Sequence, residues 1–249
     1  MTAIVFGATG LTGRNVVETL ARQLADFPRG KEGDSVIAHI RPDSSQLGTW
    51  KPRFEAMGAT VSTAAWTNAA IEALVHASKP SVVFALLGTT QARGKLAAKE
   101  GRDASKETYA AVDVALTEMV LRACASLEVK PRLVYLSSVG SGENASGAYL
   151  QARAQVEDAL KRSGVPYTVA RPSFIVGERA DARPVEKLVP LANGLLNVIG
   201  ALGAKTTRDR YRSITGEELA RVLVRVSTDE ASRNRILESE DIQATLRTV

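Results

Sequence analysis

Tyr149 and Arg153 stand four residues apart in the run Tyr149-Leu150-Gln151-Ala152-Arg153. On a helix that spacing puts both side chains on one side. A cation beside a phenol favours its ionised form and so moves it toward useful proton transfer. The apolar run Leu133-Val134-Tyr135-Leu136 ends in Ser137-Ser138, so a hydroxyl is expected at a strand end, with Ser137 polarising a substrate oxygen. The same tyrosine-to-arginine spacing is common where a partly buried tyrosine lies beside a surface arginine. Its place after a strand and a loop rich in Ser, Gly and Asn, Gly140 to Gly147, favours the chemical reading.

A second constellation, Gly7-Ala8-Thr9-Gly10-Leu11-Thr12-Gly13, follows the apolar run Thr2-Ala3-Ile4-Val5-Phe6 and precedes a helical pattern. Glycines at this spacing let the chain turn tightly off a strand and approach a pyrophosphate, and the new helix N-terminus offers free N–H groups and a positive dipole. Gly7, Thr9, Gly10, Leu11, Thr12 and Gly13 are therefore expected to bind a dinucleotide. At the end of the second strand an acid accepts hydrogen bonds from the adenosine ribose, whereas an arginine accommodates a 2′-phosphate. The chain has His39-Ile40-Arg41-Pro42 there, with Asp34 before the strand and Asp43 beyond the proline. NADP(H) is favoured over NAD(H), with Arg41 as the phosphate partner and Arg14 as a second cation.

The elements that must position these residues follow from the hydropathy pattern. Strand-like runs are expected at Ala3–Phe6, Val36–Ile40, Thr60–Thr63, Val82–Leu87, Leu133–Leu136, Tyr167–Ala170 and Arg235–Leu237, with helices between them. One helix carries Val16, Val17, Leu20 and Leu24, and a longer one Val112, Leu116, Val120 and Ala123. This alternation predicts an α/β fold, a Rossmann-like doubly wound parallel sheet. A length of 249 residues fits a single domain, 1–249, with a small C-terminal substrate-side extension. Segment 172–212 loses clean alternation and is expected to line the substrate pocket. Its apolar stretch, Leu188 to Ile199, suits ordinary core packing, a hydrophobic pocket or a homo-oligomer interface. Thr215 and Glu218 have the spacing of a capping box.

Composition narrows the class. With 45% hydrophobic and 24% charged residues the chain is expected to be soluble, with no membrane association. A net charge of +5 and a pI near 9.4 bring no nucleic-acid partner, because the basic residues are interspersed with acids. Two stretches, Arg93 to Lys106 and Lys205 to Arg212, lean basic and would attract an anionic small-molecule substrate if they lined the cleft. No early stretch has the form of a secretory signal, so a cytoplasmic location is expected. Cys124, the single cysteine, falls in a helical pattern and is expected to pack as a small hydrophobe. His39 and His76 lack metal-ligand spacing, and no metal site is expected.

Together these residues resemble the short-chain dehydrogenase/reductase superfamily, in its atypical branch with the Tat-interacting-protein-type oxidoreductases. The resemblance rests on the Gly7 to Gly13 turn, Leu87-Gly88-Thr89-Thr90, Ser137-Ser138, Tyr149 to Arg153 with Val156-Glu157, and Arg171-Pro172 with Gly177. It implies bound NADP(H) with the nicotinamide near Tyr149, Gly88 and Thr89 against the cofactor, and Pro172 to Ile175 beside the carboxamide. It also implies a serine and a tyrosine acting on a carbonyl or hydroxyl. The family has lysine where this chain has Arg153, which keeps the charge but loses protons far less readily. The family's Asp after the third strand is replaced by Thr63-Ala64-Ala65-Trp66, where Trp66 either stacks on adenine or packs in the core. Asp113 stands where many members carry an active-site asparagine. The expected function is NADP(H)-dependent reduction of a carbonyl or quinone-like small molecule by Ser137, Tyr149 and Arg153. The alternative is a non-catalytic NADPH-binding sensor that acts through a protein partner.

Overall fold

The computed structural model describes residues 1–26, 34–89, 91–101, 103–177 and 212–249. Along β1 (Thr2–Phe6) successive side chains point to opposite faces. Ala3 and Val5 join one core layer and Ile4 and Phe6 the other. The first layer is closed by Val16, Val17 and Leu20 of α1 (Leu11–Asp26), by Phe54 of α2 (Leu47–Ala56) and by Leu219, Leu223 and Val226 of α7 (Gly216–Thr228). The second is closed by α3 (Asn68–Ser78), α5 (Leu116–Ala125) and α6 (Gly147–Arg162), with Ile71, Val75, Val120, Cys124, Val156 and Leu160 inside. Strands covered on both faces must be apolar throughout; this is why β4 (Val82–Ala85) and β5 (Arg132–Leu136) carry unbroken apolar stretches.

β2 (Ser35–His39), β3 (Thr60–Ser62), β6 (Tyr167–Ala170) and β9 (Arg235–Leu237) complete a seven-stranded sheet of order β3-β2-β1-β4-β5-β6-β9. Every pairing in it is parallel. All seven strands expected from sequence are present, with ends shifted by at most two residues. Strand order reverses between β1 and β4, and a crevice at such a switch point is where ligands bind in open α/β sheets. A second, two-stranded sheet pairs β7 (Ile175–Val176) with β8 (Ile214–Thr215). Two-residue strands are too short to show a period, and sequence reading does not find them.

The structure differs from the expected long helix before α5. Residues Tyr109–Ala115 form a π-helical stretch, so the 3.6-residue spacing read through Val112, Leu116, Val120 and Ala123 does not run unbroken. Asp113 and Val114 are buried there, while Val112 is only half-buried. α4 (Gln91–Lys99) and α8 (Ser239–Leu246) complete the α-helices among the described residues. The capping box at Thr215 and Glu218 is present, with both reciprocal hydrogen bonds.

His39 is buried, with its ring 5.0 Å from Phe6 and 4.8 Å from Trp66, and Nε2 lies 2.8 Å from Ala64 O. Burial lowers its pKa, partly offset by the Ala64 bond. Toward acid the unfolded chain takes up a proton that the folded ring resists, so stability is lost as pH falls through the ordinary histidine range. The drop in urea midpoint between about pH 7.5 and about pH 5.5 is expected to be smaller in His39→Phe than in wild type. An equal drop would remove His39 from the acid response.

Candidate functional site

The phosphate turn is shaped by what its glycines exclude. A Cβ on Gly13 would lie 2.1 Å from Gly7 O, and one on Gly7, itself at φ +82°, would lie 2.6 Å from Leu86 O. The Gly10 N–H donates to Gly7 O at 3.0 Å, closing the turn onto α1. The first N–H groups of an α-helix have no partner within it, so the N-terminus of α1 begins at this turn with donors available to an anion. Leu11 touches Gly177 and Gly216, which docks the β7–β8 ribbon against this turn and brings Ile175 to the same end of the sheet. Val139 N–H donates to the carbonyl of buried Pro172 at 2.9 Å, tying that segment to the loop before α6. The turn, the strand ends and the ribbon together fit a dinucleotide.

Arg41 follows β2. Its Nε is 3.6 Å from Asp43 Oδ1 and its Nη2 3.9 Å from Glu107 Oε1. Arg14 lies over the Trp50 ring at 5.7 Å, and Arg53 at 5.1 Å, so Arg14 is held by an aromatic face beside the turn. Trp66 is half-buried and packs on Phe6 and His39 at the margin of the second core layer. Cys124 is buried and its thiol pKa is pushed up to about 12 by burial, as suits a core residue.

Beside the ends of β4 and β5, α6 carries Tyr149 and Arg153 on one side, as the spacing predicts. The Arg153 guanidinium carbon sits 5.2 Å from the Tyr149 ring centroid and 5.7 Å from that of Tyr135, and Tyr109 lies 5.4 Å from Tyr149 ring to ring. Arg153 is 5% exposed and Asp113 fully buried. Nη2 is 2.8 Å from Asp113 Oδ1, while Nη1 faces Leu136 O at 2.8 Å, Leu87 O at 3.1 Å and the Tyr135 hydroxyl at 3.2 Å. Asp113 Oδ2 accepts the Thr89 N–H at 2.9 Å. Gly88 is required here, because a Cβ would lie 2.7 Å from Arg153 Nη2.

Burial works against the Arg153 charge. Tyr135, Tyr149 and Asp113 outweigh it and hold the guanidinium pKa above its ordinary value. Burial likewise raises the Asp113 pKa against the pull of Arg153 and the Thr89 N–H, and it pushes Tyr135 up to about 12. The guanidinium therefore faces inward, with only Nε lacking a partner among the described residues. It meets Tyr149 through the ring face.

Ser137 is placed differently from the expectation. Its hydroxyl is buried and donates to Glu157 Oε1 at 2.5 Å. Glu157 in turn accepts from Arg171 Nε at 3.0 Å and Nη2 at 2.5 Å, and Arg171 Nη1 reaches Glu238 at 2.6 Å. The proton that would polarise a substrate oxygen is thus committed to an ion-pair ladder joining β5, α6, β6 and the start of α8. Sequence reading missed this ladder. Its signal was a glutamate at 157 between the core residues Val156 and Leu160, a buried charge that must find a partner. It also missed the Asp113–Arg153 pair, which depends on the π-helical stretch.

Among the described residues no group of His, Cys, Asp and Glu is arranged to hold a metal, and no helix is long and apolar enough to cross a membrane. Thr90, Arg102 and the expected substrate-side stretch from 178 to 211, with its apolar run and most of the second basic stretch, lie outside the described residues. Lys95 and Lys99 of the first basic stretch are exposed on α4.

A parallel sheet with a glycine turn at its switch point, and a tyrosine and cation on the helix after β5, define an atypical short-chain dehydrogenase/reductase fold. The chain belongs to the NAD(P)H-binding family, whose pattern matches residues 7–230. Among curated proteins it is similar to the mitochondrial protein fmp52 of Aspergillus clavatus, 28% identical over 198 residues, covering 78% of this chain and 75% of that protein. Protein fmp52-1, mitochondrial, of Aspergillus oryzae is 29% identical over 121 residues, 48% of this chain and 47% of that one. Among solved structures the fold is similar to UDP-glucose 4-epimerase of Thermotoga maritima, with TM-score 0.61 and 15% identity over 100% of this chain and 82% of that one. It is also similar to an anaerobillin reductase of Escherichia coli O157:H7, with TM-score 0.60, 14% identity and 95% of both chains covered.

Proposed function

We propose that the protein is an NADPH-dependent reductase of a small carbonyl or quinone-like molecule in which Tyr149 gives the proton. The observation that carries this reading is the stacking of Tyr149 on the buried Arg153 guanidinium beside Gly88, at the strand ends that flank the switch point. When bound, the nicotinamide supplies hydride chemistry. The chain's own residues do the rest. The Gly7 to Gly13 turn and α1 hold the pyrophosphate, with Thr9, Leu11 and Thr12 offering backbone there. Arg41, helped by Arg14, takes the 2′-phosphate. Gly88 and Thr89 let the cofactor lie close to β4, and Pro172 and Ile175 wall the nicotinamide side. Tyr149 presents its hydroxyl to the substrate oxygen, and Arg153 fixes the ring from beneath.

The inward commitment of Arg153 also favours a second reading, a non-catalytic NADPH sensor, since the remaining guanidinium donors are spent on protein acceptors. Calorimetric titration tests the cofactor half of both readings. Arg41→Ala is expected to weaken NADPH about tenfold to a hundredfold while leaving NADH within about twofold, in keeping with the loss of one charge-assisted phosphate contact. Binding of neither nucleotide to the wild type would overturn both.

A further inference from the structure

The ion partners of Arg41 were not foreseen from the sequence around it, and they bear on which cofactor the chain prefers. Glu107 is the last residue of a single 3-10 turn, Ala104–Glu107, in the connection between α4 and α5. Its side chain is 9% exposed. One carboxylate oxygen lies 3.9 Å from Arg41 Nη2, and the other accepts from Thr89 Oγ1 at 3.3 Å. Thr89 also donates to the Glu107 carbonyl at 3.3 Å. Arg41 follows β2 and Thr89 follows β4, and β1 runs between those two strands. Glu107 therefore bridges the two banks of the crevice into which the glycine turn opens. It puts a nearly buried carboxylate beside the Arg41 guanidinium. Asp43, the other acid near Arg41, is 78% exposed and screened by solvent.

We infer that Glu107 is a cofactor-specificity residue, an internal carboxylate that competes with the 2′-phosphate of NADPH for Arg41 and accepts a ribose hydroxyl of NADH when that phosphate is absent. The inference rests on the reading of Arg41 as the 2′-phosphate partner. The physical reason is that an acid at the adenosine ribose selects for a free 2′-hydroxyl, wherever in the chain the acid originates. Here it comes from the connection after β4 instead of from the end of β2. A dianionic phosphate brought to Arg41 meets the Glu107 charge as repulsion, and a ribose hydroxyl meets it as an acceptor. The protein thus holds both determinants at one ribose, and its preference for NADPH is narrowed.

The test is a set of calorimetric titrations with NADPH and NADH on wild type, Glu107→Gln, Arg41→Ala and the double variant. Glutamine keeps the shape and an acceptor for Thr89 while removing the charge. Glu107→Gln is expected to tighten NADPH about tenfold, the size of one charge repulsion relieved at partly screened distance, and to leave NADH unchanged or weaker. The gain is expected to vanish in the Arg41→Ala background, because both charges act on the same guanidinium. Equal changes for the two nucleotides, or none, would overturn the role of Glu107 while leaving the selective effect of Arg41→Ala intact. If Arg41→Ala weakens both nucleotides alike, the underlying reading falls and the competition with it. Thermal unfolding of each variant without nucleotide checks that the Thr89 contacts survive, and Glu107→Asp, which retains the charge, is expected to keep NADPH binding closer to wild type than Glu107→Gln does.

Discussion

Asp113→Ala is expected to destabilise the protein by about 3–5 kcal/mol, the cost of leaving a buried charge without its counter-ion. Arg153 cannot escape by losing its proton. It cannot turn to water either, because its guanidinium is pinned between Leu87 O, Leu136 O and the Tyr135 hydroxyl. The Thr89 N–H would lose its acceptor in the same substitution. Asp113→Asn, which restores that acceptor without the charge, is expected to fall between wild type and alanine. Urea denaturation of wild type, Asp113→Ala, Arg153→Met and the double variant measures the pair directly. The double variant is expected to be more stable than the sum of the two single losses implies, with a coupling of about 2–3 kcal/mol. Additive losses would show that the pair does not hold the site together.

The pair also explains how the site departs from the family pattern. A lysine ammonium is compact and its three donors swing freely; a guanidinium is planar and forked. In the space below Gly88 the fork finds two strand-end carbonyls and a phenol on one side and a carboxylate on the other. The carboxylate comes from Asp113, at the place where many members of the family it resembles carry asparagine. Arginine at 153 keeps the positive charge of the family's lysine, and aspartate at 113 adds a negative charge that pairs with it at 2.8 Å. The charged group beneath Tyr149 remains, but as an immobile one.

Sequence patterns revealed the sheet well and the polar site unevenly, for a physical reason. Parallel strands buried on both faces must be continuously apolar, so Val82 to Leu87 and Leu133 to Leu136 stood out. The glycine turn was legible because only glycine fits where Gly13 meets Gly7 O. What stayed hidden depends on long-range pairing. Nothing near Arg41 points to Glu107, and nothing near Ser137 shows that its hydroxyl will be drawn to Glu157. The π-helical stretch at Tyr109–Ala115 has no compositional signature, and it decides which residue of that helix meets Arg153. Both side chains have partners that lie far along the chain, Glu107 for Arg41 and Glu157 for Ser137.

Tyr149→Phe is expected to lower kcat for carbonyl reduction about 10²- to 10⁴-fold, the range supplied by a positioned proton donor, with the NADPH Kd unchanged within about twofold. The substitution isolates one atom. The phenylalanine ring keeps its place against Tyr109 and over the Arg153 guanidinium, since both contacts are made by ring faces and neither uses the hydroxyl. Stability is therefore expected to hold, and a fall in rate would report proton donation alone. With Ser137 bound to Glu157, no hydroxyl from that position takes over the task, so the loss should approach the upper part of the range. Arg153→Lys tests the complementary step. Lysine retains the charge for Asp113 but leaves Leu87 O and Leu136 O without the fork, freeing an ammonium to swing toward the ribose. A higher kcat in that variant would mean that arginine holds the tyrosine still at the expense of turnover. A rate unaffected by Tyr149→Phe over a panel of carbonyl and quinone acceptors would remove Tyr149 from the chemistry and leave the sensor reading as the one the site supports.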